Sequence, residues 1–213
     1  MRSNKPITNF NIERTDIAVV FSELNHVYIS EELFKKIVEL EKDKFGTTLI
    51  RDPNPQHPFL QLTLPKSGIL IQVLDKKLVI SDNSRVLPKD SELIKRYFAS
   101  VYYSLRSVPC EPIAFGFNYG IVIQNGVQKL DTALGISTLS KGIRKDVDSY
   151  NISFGFKDGT TKYSIFVNTV GNTRKLQLNA HIDSPDLLVD KNKIKSLYEE
   201  NWDYFVKFYQ DFL

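Results

Sequence analysis

Cysteine is almost missing from this chain: Cys110 is the one residue of its kind among 213. No intramolecular disulfide can form, and every zinc site built on two or more thiolates is excluded. Long apolar runs are lacking as well. None approaches the roughly 20 residues a membrane helix requires, and the amino terminus has no signal-peptide-like apolar stretch, so the chain is expected in the cytoplasm, with no membrane partner. Neither sign of charge dominates, since 28 basic and 25 acidic side chains leave a net +3. A dedicated duplex-DNA binder would show a strongly basic face, because neutralised phosphates supply most of the affinity. The short signatures of common chemistry are absent too. With no GxSxG elbow, P-loop, GxGxxG turn, HExxH helix or EF-hand loop, the common signatures of acyl transfer, nucleotide binding and zinc hydrolysis are all missing, which leaves an enzyme only with scattered, motif-free catalytic residues. No cofactor is called for.

With 42% apolar and 25% charged side chains, the composition is that of a globular chain with enough length to bury its own core. Its organisation shows a repeat near half the length. Ile17-Ala18-Val19-Val20-Phe21 recurs as Ile113-Ala114-Phe115-Gly116-Phe117, and at the same offset Phe34, Ile37 and Val38 fall on Leu130, Ala133 and Leu134. Both of the latter sets have the spacing of one helix face. The strand-like stretch 59–64 has a counterpart at 150–156, and 69–74 has one at 163–167. Two α+β halves are expected, 1–107 and 108–213, packed as one pseudo-symmetric unit because the join at Ser107-Val108-Pro109-Cys110 is too short for a linker.

Within the first half, residues 15–29 read as a strand, bent or folded into a hairpin about Asn25. Ser30 caps a helix with Glu31 and Glu32 in its first turn, ending near Phe45 at Gly46. A loop carrying Pro53, Pro55 and Pro58 follows. Segments 59–64, 69–74 and 77–81 form a meander, and Leu93, Ile94, Tyr97, Phe98, Val101, Tyr102 and Leu105 trace the stripe of a second helix capped by Asp90 or Ser91. In the second half, Gly126, Gly135 and Gly142 weaken the first helix. Strands 149–157 and 161–168 turn at Asp158-Gly159, Gly171-Asn172 leads into 174–182, and a helix runs from about Asp190 to the end. The expectation is a tandem pseudo-repeat of β-α-β-β-β-α units: a mainly antiparallel sheet with helices on one face. This order of elements resembles the topology of the TATA-binding-protein saddle. That likeness implies a concave sheet seated on nucleic acid, although alternation puts most strand phenylalanines on the apolar side.

Strand alternation sorts the sequence into two faces. Leu60, Leu62, Leu64, Ile152, Phe154, Phe156, Leu176, Leu178, Ala180 and Ile182 belong under the helices. Gln61, Thr63, Gln72, Ser81, Asn151, Ser153, Lys175, Gln177, Asn179, His181 and Asp183 share the other face, which is rich in amides and suits partner binding. Lys141, Arg144 and Lys145 cluster where an anion could sit. His181 and Asp183 point to one side of a strand, with Asp186 three residues further on, and could serve a metal or form a base with its orienting carboxylate. Ile194, Tyr198, Trp202, Phe205, Tyr209 and Phe212 make one stripe on the last helix; Leu197, Tyr204 and Phe208 make a second beside it, wider than docking on one sheet needs. The expected function is therefore non-enzymatic binding of a macromolecule, a protein partner or a second copy, through Gln61, Thr63, Gln72, Lys175, Gln177, Asn179, His181, Tyr204 and Phe208. A nucleic-acid saddle and a metal-assisted hydrolase using His181 and Asp183 are the alternatives.

Overall fold

Among the described residues, nine strands join edge to edge in one antiparallel sheet of a computed structural model, which covers 10–24, 48–52, 59–105, 110–124, 135, 142, 149–171 and 173–212. The strands are β1 (Phe10–Leu24), β2 (Thr48–Asp52), β3 (Phe59–Leu64), β4 (Ile69–Leu74), β5 (Lys77–Asp82), β6 (Cys110–Gln124), β7 (Ser149–Asp158), β8 (Thr161–Val170) and β9 (Thr173–Ile182). Their order across the sheet is β2-β3-β4-β5-β1-β6-β9-β8-β7. The two long strands, each of 15 residues, lie side by side at the centre, and Ile17 in the middle of β1 faces Phe117 in the middle of β6. A π-helical turn (Leu93–Phe98) runs into α1 (Ala99–Leu105), and α2 (Lys191–Phe212) closes the chain. The α+β architecture with antiparallel pairing agrees with the sequence expectation.

One side of the sheet forms the core because alternate residues are apolar along strand after strand. Leu60, Leu62 and Leu64 of β3, Ile69, Ile71 and Val73 of β4, Ile17, Val19 and Phe21 of β1 and Phe115 and Phe117 of β6 are all buried there. Leu93, Ile94, Tyr97, Phe98, Val101 and Tyr102 cover them in a single cluster with the stripe of α2. Helix α2 begins where Asp190 Oδ1 accepts the backbone N–H groups of Asn192 (2.8 Å) and Lys193 (3.3 Å), satisfying two donors a helix start leaves unpaired. Its first stripe, Ile194, Tyr198, Trp202, Phe205 and Tyr209, is buried and meets Phe10, Phe117 and Tyr119 ring to ring. Each such side chain stabilises by about 1.5–3 kcal/mol when buried. Docking, more than intrinsic propensity, therefore holds this helix in place.

Several sequence expectations are corrected. The first strand begins at Phe10, ahead of the expected 15, and β2 at 48–52 was not anticipated. Its five residues carry Arg51 and Asp52 and run into the proline-rich stretch, so pairing with β3 rather than local propensity makes them a strand. The second helix opens with a π turn in place of regular α-helix, and Ser91 supplies the cap by accepting the Leu93 N–H at 3.0 Å. The helices expected at 30–45 and 126–145 lie outside the described residues, apart from Gly135 and Gly142. No helix among the described residues is long and apolar enough to cross a membrane.

Candidate binding face

The sheet side opposite the helices is laid out in rows by the pairing register. One row runs Gly155, Ser164, Asn179, Asn118 and Asp16 from β7 to β1, and the next runs Ser153, Phe166, Gln177, Gly120 and Arg14. Where they reach β6, a hollow of about 570 Å³ opens, with Asn118, Asn179, Gln177, Glu13, Arg14 and Lys175 on its walls and Gly120 in its lining. A β-carbon on Gly120 would meet nothing nearer than the Arg14 carbonyl oxygen at 3.6 Å. The missing side chain therefore deepens the hollow without any steric demand for glycine.

The amides are not scattered. Asn118 and Asn179 are directly opposed across β6 and β9, and Asn179 Nδ2 donates to Asn118 Oδ1 at 2.5 Å. Gln61 and Gln72 are opposed across β3 and β4, with Gln72 Nε2 donating to Gln61 Oε1 at 2.9 Å. Asn151 and Asn168 are opposed across β7 and β8, with Asn168 Nδ2 donating to Asn151 Oδ1. Cross-strand pairs of this kind each contribute about 0.2–1 kcal/mol to a sheet. They also leave every amide with unspent donors or acceptors. Charges around the hollow are matched: Arg14 Nε donates to Asp16 Oδ1, and Lys175 Nζ to Glu13 Oε1, both at 2.5 Å.

Of the sequence-assigned residues, Lys175, Gln177 and Asn179 come together at the hollow and His181 follows along β9. Gln61, Thr63 and Gln72 share the face but stand beyond the central strands, on β3 and β4. Ser81 is also on this face by register, opposite Asp16, but it is fully buried and its hydroxyl has no hydrogen-bond partner among the described residues. Tyr204 and Phe208 are on the other side of the sheet. Tyr204 stacks on Tyr163 at 4.9 Å and Phe208 meets Phe154 at 5.7 Å, so they cannot share one contact surface with the amides. Lys141, Arg144 and Lys145 lie outside the described residues. Arg174 is buried, with its guanidinium over the Tyr150 ring and Nη1 donating to the Gly171 carbonyl.

His181 Nε2 and Asp183 Oδ1 are 2.8 Å apart, and Lys162 Nζ takes the other carboxylate oxygen at 2.5 Å. The Lys162 hydrogen bond, with His181 after it, holds the Asp183 carboxyl below its ordinary value. Among the described residues no group of three or more His, Cys, Asp and Glu converges as a metal would require. Sequence reasoning missed Phe166, which is 46% exposed beside Gln177. The signal was available: with Tyr163, Ile165 and Val167 facing in, parity turns Phe166 out.

The class defined by these features is an antiparallel α+β sheet protein with the described helices on one side and an amide-lined hollow on the other. No protein-family model and no curated protein matches the chain. Among solved structures, a chain from the S. pombe Pct1 RNA triphosphatase in complex with the Spt5 CTD is similar at 10% identity over 97% of this chain and 83% of that one, with a TM-score of 0.16. A likeness at that level carries no argument.

Proposed function

We propose that the chain is a non-enzymatic binding protein that engages another protein through the open face of β6–β9. The hollow about Gly120 carries this reading. Its amides keep unspent hydrogen-bonding capacity, Gln177 is exposed beside them, and Phe166 adds an exposed ring in the neighbouring row. Amide capacity around an aromatic anchor suits a polar macromolecular surface. The cations beside it are already matched with carboxylates, so there is little surplus charge to draw phosphates. The test places a photoreactive benzophenone residue at Phe166 in one preparation and at exposed Val189, on the helix side, in another. One protein captured at 166, not at 189, and lost on Gln177→Ala supports the reading; equal capture at both positions refutes it.

A second reading, a saddle for single-stranded nucleic acid, is favoured by Phe166 itself. An exposed ring on a sheet face beside Lys175 is an arrangement on which bases stack. Fluorescence anisotropy with a labelled oligothymidylate distinguishes the two. Binding that falls steeply between about 50 and 200 mM salt favours nucleic acid, and no binding at either favours the protein partner. We also read the chain as a duplication. The central pairing of β1 with β6, each flanked by the last strand of a meander that leads into a helix, supports two copies of one unit.

A further inference from the structure

We propose that two copies of this chain associate through the outer edge of β7, their β7 strands pairing antiparallel about a two-fold axis to continue the sheet. The two ends of the sheet differ. Among the described residues β2 is a five-residue strand, whereas β7 is a ten-residue strand without proline. The two-residue turn at Gly159, whose φ is 55°, joins Asp158 to its partner Thr161. Residues flanking such a turn exchange both backbone bonds, and hydrogen-bonded pairs alternate from there. Tyr150, Ile152, Phe154, Phe156 and Asp158 therefore spend their N–H and C=O groups on β8. Asn151, Ser153, Gly155 and Lys157 turn theirs outward.

A second, independent feature lies at the same margin. The inward residues of β8 are buried, Tyr163 at 8%, Ile165 at 0% and Val167 at 2% exposure, whereas Ile152, Phe154 and Phe156 of β7 are only half-buried. Tyr204 and Phe208 of α2 continue that apolar strip. The occupant that fits is the strand itself. Pairing Phe154 with the partner's Phe154 sets Ile152 against the partner's Phe156 and Ser153 against the partner's Gly155, and all outward backbone groups find partners. Ser149–Phe156 is uncharged, and Lys157 comes opposite the partner's Asn151, so no like charges meet. The dimer would join two open faces into one surface, although it does not depend on what that face binds.

Sedimentation equilibrium of the full chain tests the proposal. A concentration-dependent monomer–dimer equilibrium is expected. Asn151→Asp sets two carboxylates against the partner's Lys157 pair and tightens the dimer, by about 2- to 30-fold for two cross-strand ion pairs. Asn151→Lys weakens it by a similar factor. Ser153→Pro removes an outward donor and abolishes the dimer, with circular dichroism checking that the monomer stays folded. A chain that is monomeric at every concentration, or a dimer indifferent to the two Asn151 variants, overturns the proposal and leaves the edge to an extended segment of a different protein or to none.

Discussion

Two glycines on the same strand and the same face, Gly116 and Gly120, make the sharpest test of the sheet's packing. A β-carbon at Gly116 would lie 2.4 Å from the Ala180 carbonyl oxygen of β9, whereas at Gly120 the nearest atom is 3.6 Å away. The first contact is with backbone, so no rotamer change relieves it. β6 and β9 must separate where Phe115 and Phe117 pair with Ile182 and Ala180 under the core. Overpacking of this kind costs about 1–3 kcal/mol. At Gly120 alanine fits, and the smaller entropy of the unfolded chain contributes about 0.4–1 kcal/mol in the stabilising direction. Gly116→Ala and Gly120→Ala should therefore differ by roughly 1.5–4 kcal/mol, or about 3–16 °C in Tm for a chain of this size. Urea unfolding followed by fluorescence of Trp202, the single tryptophan, packed against Tyr119 and Phe205, reads the difference directly. Equal stability of the two variants, within about 0.5 kcal/mol, would refute the close approach of β6 to β9.

Three further outcomes are expected. Tyr198 donates its hydroxyl to Thr15 Oγ1 at 2.7 Å, with both groups buried, so Tyr198→Phe should cost about 1–3 kcal/mol in urea melts; no loss would mean the pair is not desolvated. Burial raises the hydroxyls of Tyr119 and Tyr198. The folded state therefore keeps protons that the unfolded chain releases near pH 10, and stability, full below that pH, falls above it. Ultraviolet titration should show these two tyrosines ionising only as the chain unfolds, and ionisation in the folded state would contradict their burial. Asp183, held below its ordinary 3.8 by Lys162 and then His181, adds stability that is present above that value and lost as pH falls through the lowered one. Lys162→Ala should return the carboxyl resonance of Asp183 toward the ordinary titration, and an unmoved midpoint would place the lysine elsewhere.

The strands were legible where period two was clean. β3, β4, β8 and β9 fall within two residues of their sequence-derived limits because apolar residues recur at every second position along the inward side of each. β2 was not legible, since Thr48-Leu49-Ile50-Arg51-Asp52 has no alternation and becomes a strand by pairing with β3. The wide aromatic arc on α2 was visible, and its cause needed coordinates: Tyr204 and Phe208 reach past the fully buried stripe to the half-buried residues of the edge strand. The site was half legible. Alternation gathered Lys175, Gln177 and Asn179, but not Glu13, Arg14 and Asn118, because strand neighbours distant in sequence are fixed by register and not by local pattern.

The amide-rich face has a structural cause that separates it from an ordinary solvated surface. Three amide pairs, Asn118 with Asn179, Gln61 with Gln72 and Asn151 with Asn168, stand directly opposite one another on neighbouring strands, and each holds a hydrogen bond across the ladder. Such pairs add cross-strand bonds to a register that the buried face already specifies, which accounts for amides at these positions without reference to any ligand. That argument does not extend to Gln177, which stands opposite Gly120 and Phe166 and so has no amide across the ladder. Gln177 beside the hollow is thus an amide of this face that spends nothing on a cross-strand amide pair among the described residues. Gln177→Ala should leave stability within about 0.5 kcal/mol of the parent while reducing capture at Phe166, whereas Asn179→Ala should lower both, since it breaks a ladder bond as well as a wall of the hollow.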